Sequence, residues 1–471
     1  IVYQILIIFL PLVTAPYVSR VLGTENIGLY SYSYSVASYF VLFAMLGINN
    51  YGNKLIASIK KDKNKLNQEF SNLFFLHIFG TVIVMIVYYF YIKHTKDNKL
   101  YALICFIYLV GALFDINWFF FGMEEFKITV SRNIIIKLLT TVSIFIFVRC
   151  KSDVWKYILI MAVGNVVSQS IVWLWLPKFI KFKKPTFKNI KTHILQLFIL
   201  FIPVIAVSLY KIMDKIMLKH MVDSSAVGLY ENAEKIINIP IGILTAVGVV
   251  MLPRSSALLS DNNENAVLNS IKITTKYVLI ISYALAFGLM AVGPEFAPIF
   301  YGEDFSFSGK LIQGLAITIP FMASANIIRT QYLIPKGYNK IYILSVILGA
   351  IVNIILNSIF IPVFQSVGAV IGTVMAEIVV FFIQQISVRN ELKLGKVYQT
   401  SISYAFIGIL MCITLRFTAS FFEVNAVILL IEIALGALIY ILLSTIVLYF
   451  QKDHLLFGLL NKIKKHNSKL N

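Results

Sequence analysis

Long apolar runs, separated by short polar connections, follow one another along almost the whole chain. A helix that crosses a membrane needs about 20 mostly apolar residues, and this length predicts about fourteen membrane-spanning helices. The predicted spans lie near residues 1–21, 27–50, 70–92, 100–121, 128–148, 154–176, 193–217, 227–251, 272–297, 309–333, 341–362, 366–388, 399–418 and 426–450. We therefore expect an all-α polytopic membrane protein.

The polar connections alternate between lysine-rich and cation-poor segments. The lysine-rich set comprises residues 54–65, 177–192, 389–396 and the C-terminal tail, and the cation-poor set comprises residues 24–26, 224–225, 363–365 and 419–425. The connection at 93–99, with three lysines, is the exception. Because cytoplasmic loops of membrane proteins carry an excess of Lys and Arg, both ends of the chain are expected in the cytoplasm.

The composition agrees with a lipid environment. Of the 471 residues, 59% are hydrophobic and 13% are charged, whereas soluble domains carry roughly 25% charged residues. The net charge of +19 falls on the connections, so the positive-inside rule explains it better than a nucleic-acid partner would. No cleavable signal sequence is recognisable, and a short segment is expected before Ile1 because the chain does not begin with Met.

One short sequence repeats at a distance of 200 positions. Gly-Leu-Tyr occurs at 28–30 and at 228–230, and each copy follows an apolar run that is interrupted by proline, at Pro11 and Pro203. Transporters are commonly built from internal repeats with the substrate site between them. The repeat indicates two related halves, and the basic connection between spans six and seven is the natural seam between them. The predicted segments are a first six-helix lobe at 1–176, a cytoplasmic basic linker at 177–192, a second, pseudo-symmetric six-helix lobe at 193–388, the last two helices within 399–450 and a cytoplasmic amphipathic tail at 453–471.

Ionisable side chains inside the predicted spans are few, and each needs a partner or a water-filled cavity. The densest cluster, Lys211, Asp214 and Lys215, shares one face of the seventh span. Two lysines beside one aspartate leave a surplus positive charge that favours binding of an anion, although a neutral Lys–Asp pair would serve packing alone. Arg20, at the end of the first span, and Arg329, in the tenth, are the other candidate substrate-binding cations, and an interfacial role is the alternative for Arg20.

Four side chains are candidates for ion coupling or for a structural ion pair. Asp115 lies near the middle of the fourth span, and the nearest cations along the sequence are Arg132 and Lys137. The four candidates are therefore Asp115, Arg132, Asp214 and Glu377. Aromatic residues that could stack on sugars, or simply pack, are Tyr30, Tyr32, Tyr34 and Trp118.

Motifs for catalysis, for metal binding and for nucleotide binding are missing from the sequence. The three cysteines are far apart, and the six histidines are scattered. The sequence therefore predicts a transporter without a cofactor rather than an enzyme. A membrane glycan polymerase is the alternative of a different class, but no outward connection is long enough for a large acceptor-binding loop.

Several segments, in order along nearly the whole chain, resemble polysaccharide repeat-unit flippases of the Wzx type. These flippases belong to the multidrug/oligosaccharidyl-lipid/polysaccharide (MOP) exporter superfamily. The matching segments are Pro16-Tyr-Val-Ser-Arg20-Val-Leu-Gly23, Trp118-Phe-Phe-Phe-Gly122-Met-Glu124, Asp214 with Val227-Gly-Leu-Tyr230, and Asn353 and Asn357 with Ile361-Pro362 and Val367-Gly-Ala369.

The resemblance implies a MATE-like V of two six-helix lobes around a central cavity, commonly followed by two more helices. It implies that undecaprenyl-diphosphate-linked oligosaccharide repeat units move from the inner to the outer leaflet of the bacterial cytoplasmic membrane by alternating access. Such transport would serve export of capsule, exopolysaccharide or O-antigen. In related flippases the arginine of a Ser-Arg-x-Leu-Gly segment is one of the cations of the cavity. Arg20 occupies this position here, and it is the only residue to which the resemblance assigns a role.

The expected partners are the lipid-linked oligosaccharide, membrane lipid and a glycan polymerase. A functional monomer is expected because one chain contains both lobes. Two alternatives within transport stay open at this point. A peptidoglycan-precursor flippase would share the fold and the diphosphate, whereas a multidrug exporter with cationic cargo would need an acidic cavity, and the candidate residues are mostly basic.

Overall fold

The computed structural model describes residues 2–95, 98–261, 263–422, 425–453 and 456–457. Helices make up 89% of the structure, and the described residues form no strand, so the all-α prediction is confirmed. Within that part of the chain the α-helices are α1 Val2–Met45, α2 Ile48–Ile59, α3 Lys63–His94, α4 Lys99–Leu113, α5 Asn117–Gly122, α6 Phe126–Phe147, α7 Val154–Ile171, α8 Phe187–Met221, α9 Ser224–Ser260, α10 Glu264–Tyr301, α11 Ser306–Ala316, α12 Thr318–Ile328, α13 Asn339–Phe364, α14 Ser366–Ser387, α15 Arg389–Leu392, α16 Gly395–Ala419 and α17 Ala426–Phe450.

Twelve helices in the described ranges are long and apolar enough to cross a membrane. The count rises to thirteen if the bent pair Glu303–Ala316 and Thr318–Leu333 is one span, so the predicted count of fourteen is not confirmed. The first two predicted spans merge because α1 continues through the expected connection at 24–26. Only Gly23 leaves the helical conformation there, with φ 76° and ψ 175°, a backbone geometry that glycine adopts without a steric penalty.

The helices cluster into two compact units. The first comprises Ile1–Asn232 and Ala350–Gly372, and the second comprises Ala233–Gly349 and Thr373–Asn471. The division into two lobes, a linker and an added helix pair remains a prediction. Most of the predicted amphipathic tail at 453–471 lies outside the described residues.

An aromatic core holds together the part of the first unit where α2, α3 and α5 meet. The Trp118 ring of α5 is fully buried and stacks on Phe70 of α3, with 5.4 Å between the ring centroids. Gly52 of α2 lies directly against the Trp118 ring, because a Cβ at position 52 would be 2.5 Å from a ring carbon. This close packing fixes the short helix α5, and it therefore fixes Asp115 and Asn117 at its start.

In the second unit, α16 and α17 pack on α10. The Tyr440 hydroxyl of α17 donates to the carbonyl of Ile280 at 2.8 Å, and Gly408 of α16 gives space to the Phe287 ring. Beyond α17, the Asp453 carboxylate accepts bonds from Lys276, at 2.7 Å, and from Tyr277 of α10. The end of the last predicted span is thereby tied to α10.

Candidate functional site

The two Gly-Leu-Tyr copies meet where α1 and α9 cross within the first unit. A Cβ built on Gly28 would be 1.7 Å from the carbonyl oxygen of Ser224, and one built on Gly228 would be 2.0 Å from that of Thr24. The contacts are reciprocal, since each glycine faces the residue four positions before the other glycine. This arrangement is typical of a pseudo-two-fold axis between repeats.

A carboxylate next to this crossing binds one of the predicted cations. Glu231, one residue after the second Gly-Leu-Tyr copy, forms a salt bridge with Lys215 of α8, with 2.7 Å between Nζ and Oε2. The hydroxyl of Ser31, one residue after the first copy, donates to the same carboxylate at 2.7 Å. Glu231 therefore compensates one lysine of the cluster that was predicted to carry a surplus positive charge.

The aspartate of the same cluster is buried and held by polar side chains. Asp214 is 2% exposed, and its carboxylate accepts hydrogen bonds from the Tyr230 hydroxyl at 2.8 Å and from the Asn357 amide at 2.6 Å. Asn357 also donates to Asn353 one turn earlier on α13. Gly372 makes room for this amide, because a Cβ at position 372 would be 2.0 Å from Oδ1 of Asn357.

The other two predicted substrate-binding cations of the first unit, Lys211 and Arg20, are exposed. Lys211 lies one turn before Asp214 and Lys215 on α8, and it forms no ion pair or side-chain hydrogen bond within the described ranges. Arg20 lies on α1, three residues before the break at Gly23, next to Ser19, which accepts a hydrogen bond from Asn232. Neighbouring charges of one helix thus have different surroundings, with Asp214 buried, Lys215 paired and Lys211 accessible.

Asp115 and Arg132 belong to one polar network but do not form a direct ion pair. The Asp115 carboxylate accepts from the Asn117 backbone at 2.9 Å and, at the longer distance of 3.4 Å, from the Gln169 amide. Arg132, 5% exposed, donates to the side chain of Asn117 at 3.1 Å, and Asn117 in turn donates to Gln169 at 2.8 Å. The side-chain amides of Asn117 and Gln169 therefore bridge Arg132 and Asp115 through hydrogen bonds. Lys137 forms no bond to Asp115.

Arg329 and Glu377 lie in the second unit. Arg329 begins a short π-helical turn, Arg329–Leu333, and its guanidinium lies 5.4 Å from the centre of the Tyr342 ring. π-Helical turns and cation–π contacts are common at functional positions, but both also serve structure alone. They therefore do not by themselves assign Arg329 a function. Glu377 of α14 is 4% exposed. Within the described residues, no group of three or more His, Cys, Asp and Glu side chains is placed to hold a metal ion.

Sequence reasoning missed Glu231, Asn117 and Gln169. The signal for Glu231 was available, because it directly follows the repeated Gly-Leu-Tyr and is 200 positions from Ser31. Asn117 directly precedes the segment at 118–124 that carried the family resemblance, but nothing in the sequence distinguishes a buried asparagine from one that faces solvent. Gln169 had no signal, because only the packing of α7 against α4 brings it to Asp115.

Comparisons with known proteins agree with this architecture. A family model described as "Polysaccharide biosynthesis protein" matches residues 1–259. Two curated relatives carry the name "Putative O-antigen transporter". The protein from Shigella dysenteriae is 24% identical over 72% of this chain and 86% of its own length, and the protein from Escherichia coli K12 is 26% identical over 70% and 81%.

Solved structures of two kinds share the fold. The lipid II flippase MurJ, in an inward closed conformation, superposes with a TM-score of 0.77 at 17% identity over 96% of this chain and 98% of its own. An inward-facing multidrug resistance MATE family transporter of the MOP superfamily superposes with a TM-score of 0.57 at 12% identity over 84% and 99%. Since the family model covers more than half of its length, this chain belongs to the polysaccharide biosynthesis protein family, and it shares the fold of the MurJ and MATE structures.

Proposed function

We propose that this multi-pass membrane transporter is a flippase for lipid-linked oligosaccharide. Its cargo is an undecaprenyl-diphosphate-linked repeat unit, which moves from the inner to the outer leaflet of the bacterial cytoplasmic membrane by alternating access. The names of the curated relatives and of the solved flippase support transport of this class of substrate. Both chain termini are placed in the cytoplasm by the charge of the connections, and a monomer suffices because the chain contains both repeats.

The observation that carries the proposal is the exposed Lys211 of α8, which lies two residues after the candidate span Lys191–Leu209 and inside the span predicted from the sequence at 193–217. An unpaired charge at membrane depth is costly, so a lysine without an anionic partner in the described ranges requires an aqueous cavity or an anionic cargo. A diphosphate supplies that anion. The other members of the predicted site are Arg20, Asp214, Lys215 and Arg329, and in this proposal Glu231 keeps Lys215 in place beside the accessible lysine.

The direction of transport follows from the charge of the cargo. With the cytoplasm negative, outward movement of an anion is favoured by roughly 2.3 kcal/mol per charge for each 100 mV. Inward movement of a proton or a metal cation on Asp214 or Glu377 would add to this driving force. Asp214 suits coupling because it is buried and two of its partners, Tyr230 and Asn357, are neutral donors.

The experiment that tests the proposal measures lipid-linked repeat units in cells. Cells that carry Lys211→Ala or Arg20→Ala are expected to accumulate these units in the cytoplasmic leaflet and to lose surface glycan, at wild-type protein levels. The matched control is Lys181→Ala, which removes an equally exposed lysine from the connection between α7 and α8. That variant is expected to export normally, because its lysine lies in the predicted linker at 177–192, whereas Lys211 lies in the predicted span at 193–217.

The same measurement separates the competing functions. Cells that lack the protein but show normal surface glycan and no accumulation would refute the proposal. Accumulation of the peptidoglycan precursor instead would identify a different lipid-linked cargo. Normal export in both Lys211→Ala and Arg20→Ala would leave a flippase but would remove these two residues from its site.

A further inference from the structure

The first unit contains a second polar site, separate from the lysine cluster. A cavity of about 470 Å³ lies among α1, α2, α4, α7 and α8. Ligand-binding cavities commonly measure roughly 300–1,000 Å³, so this volume suits a small organic group rather than an ion. Its polar lining includes Tyr34, Asn49, Asn50, Asp115, Asn165 and Gln169.

The charge of the lining excludes a phosphate. Among the described residues that line the cavity there is no Lys, Arg or His, and Asp115 is the one charged residue. An anion would be repelled there, whereas an uncharged group rich in hydroxyls can donate to the carboxylate. The cavity and the cation at Lys211 therefore suit different parts of one amphiphilic, anionic cargo.

The hydrogen-bonding capacity of the lining is largely unused. The side-chain amides of Asn49, Asn50 and Asn165 form no hydrogen bond within the described part of the chain. Each amide offers two donors and one acceptor oxygen. Asn165 is seated closely, since a Cβ on Gly111 would be 2.3 Å from its Oδ1. Alternating donors and acceptors of this kind match the adjacent hydroxyls of a sugar ring.

Neighbouring residues hold the lining in place. Asp115 and Gln169 are fixed by Asn117, which the buried Arg132 holds from behind. The Tyr34 ring is 42% exposed and packs edge-on against Tyr108, with 5.1 Å between centroids. A rigid aromatic surface beside fixed polar groups binds a ligand with little loss of conformational entropy.

We propose that this cavity binds a sugar residue of the cargo, with Asp115, Asn165 and the neighbouring amides accepting and donating hydrogen bonds to its hydroxyls and Tyr34 stacking on its ring. The inference rests on the proposed function, which supplies an oligosaccharide, and it deepens that function by assigning glycan selection to the first unit. Of the aromatic residues named from the sequence, Trp118 and Tyr30 are buried in packing and the Tyr32 ring contacts His220, whereas Tyr34 lines the cavity with its ring exposed. Arg132 acts as a positioning residue.

The test uses the purified full chain in lipid nanodiscs and two soluble probes. The probes are the repeat-unit oligosaccharide cleaved from its lipid carrier and inorganic pyrophosphate, with the dissociation constant of each measured by calorimetry. Asn165→Ala is expected to weaken oligosaccharide binding about tenfold, as the loss of one well-placed hydrogen bond does, and to leave pyrophosphate binding unchanged. Lys211→Ala is expected to show the opposite pattern.

A matched pair of variants guards against misfolding. Ser38 lines the cavity, and its hydroxyl forms no hydrogen bond within the described residues, so Ser38→Trp fills the volume while Ser38→Ala preserves it. Loss of oligosaccharide binding in Ser38→Trp alone, at equal thermal stability, supports the sugar site. Wild-type binding in both Ser38→Trp and Asn165→Ala would overturn it, and so would the absence of oligosaccharide binding by the wild type.

These outcomes are distinct from failure of the proposed function. If cells without the protein accumulate lipid-linked repeat units but cavity variants bind oligosaccharide normally, the flippase stands and the sugar site is wrong. If oligosaccharide binding depends on the cavity but such cells accumulate nothing, the sugar site stands and the flippase is wrong.

Discussion

Substitution of Gly28 by alanine probes the crossing of α1 and α9 directly. The added methyl group would lie 1.7 Å from the Ser224 carbonyl oxygen and 3.0 Å from the Gly228 nitrogen, both of which are backbone atoms that cannot rotate away. Since ordinary contact begins near 3.4 Å, the two helices would have to separate by about 1.7 Å at this point. The hydrogen bond from Ser31 to Glu231, three residues along, would be stretched beyond its range.

The expected cost combines three effects. Overpacking of a tight contact destabilises by about 1–3 kcal/mol, and loss of a hydrogen bond to a charged group by about 1.5–3 kcal/mol. Alanine recovers about 0.5–1 kcal/mol because glycine is a poorer helix former. We therefore expect Gly28→Ala to lower the free energy of unfolding by roughly 1.5–5.5 kcal/mol.

The assay is a denaturant titration of the purified chain in detergent micelles, followed by intrinsic fluorescence. Gly242→Ala is the matched control, because it lies in the same helix as Gly228 and a Cβ there would meet no atom within 4 Å. The control is expected to be neutral or stabilising by about 0.5–1 kcal/mol. Gly228→Ala should resemble Gly28→Ala, since its methyl group would meet the Thr24 carbonyl at 2.0 Å.

The double variant Gly28→Ala/Gly228→Ala sharpens the test. One separation of the helices relieves both clashes, so the double variant should cost clearly less than the sum of the two single variants. Equal stability of Gly28→Ala and Gly242→Ala would refute the reciprocal glycine contact, and strict additivity would refute the claim that the two glycines share one contact.

Two further predictions concern ion pairs. Glu231→Gln should destabilise the protein by about 3–5 kcal/mol because it removes the carboxylate charge that pairs with Lys215, whereas replacing both residues by Met should recover most of that loss; an equal loss in both variants would contradict the pairing. Burial opposes ionisation of Asp453, but bonds from Lys276 and Tyr277 outweigh it and lower the pKa of Asp453 to about 2, against about 3.9 when unfolded. The contribution of Asp453 to stability is thus complete above about pH 4 and is lost as the pH falls toward 2. The difference in melting temperature between wild type and Asp453→Asn should therefore be constant from about pH 5 to 8 and shrink only in stronger acid.

Hydropathy and the spacing of apolar residues predicted much of the fold. The apolar runs place nearly every helix, and the repeated Gly-Leu-Tyr marks the two segments that later meet. These features are local or strictly periodic, so they can be read without knowing which helices touch. The helix count was less certain, because a single glycine at position 23 bends α1 without ending it.

The candidate site depended much more on tertiary structure. The sequence identified Lys211, Asp214 and Lys215 as a cluster on one helix, but it could not assign them an exposed, a buried and a paired environment. Those environments come from α9 and α13, and the bond from Asn357 to Asp214 joins residues 143 positions apart. Likewise, Asp115 was expected to need a nearby cation, and the structure supplies Arg132 through two intervening amides.

By itself, the sequence determined that the chain is a bundle of membrane-spanning helices with an internal repeat and a few charges at membrane depth. The physical reason is that the bilayer demands long apolar helices, a requirement that every span satisfies independently. Only the tertiary structure decided that Gly28 contacts Gly228, that Glu231 binds Lys215 and that a polar cavity opens beside Asp115. These contacts depend on the register and crossing of helices distant in sequence, and side-chain packing across the whole unit sets both.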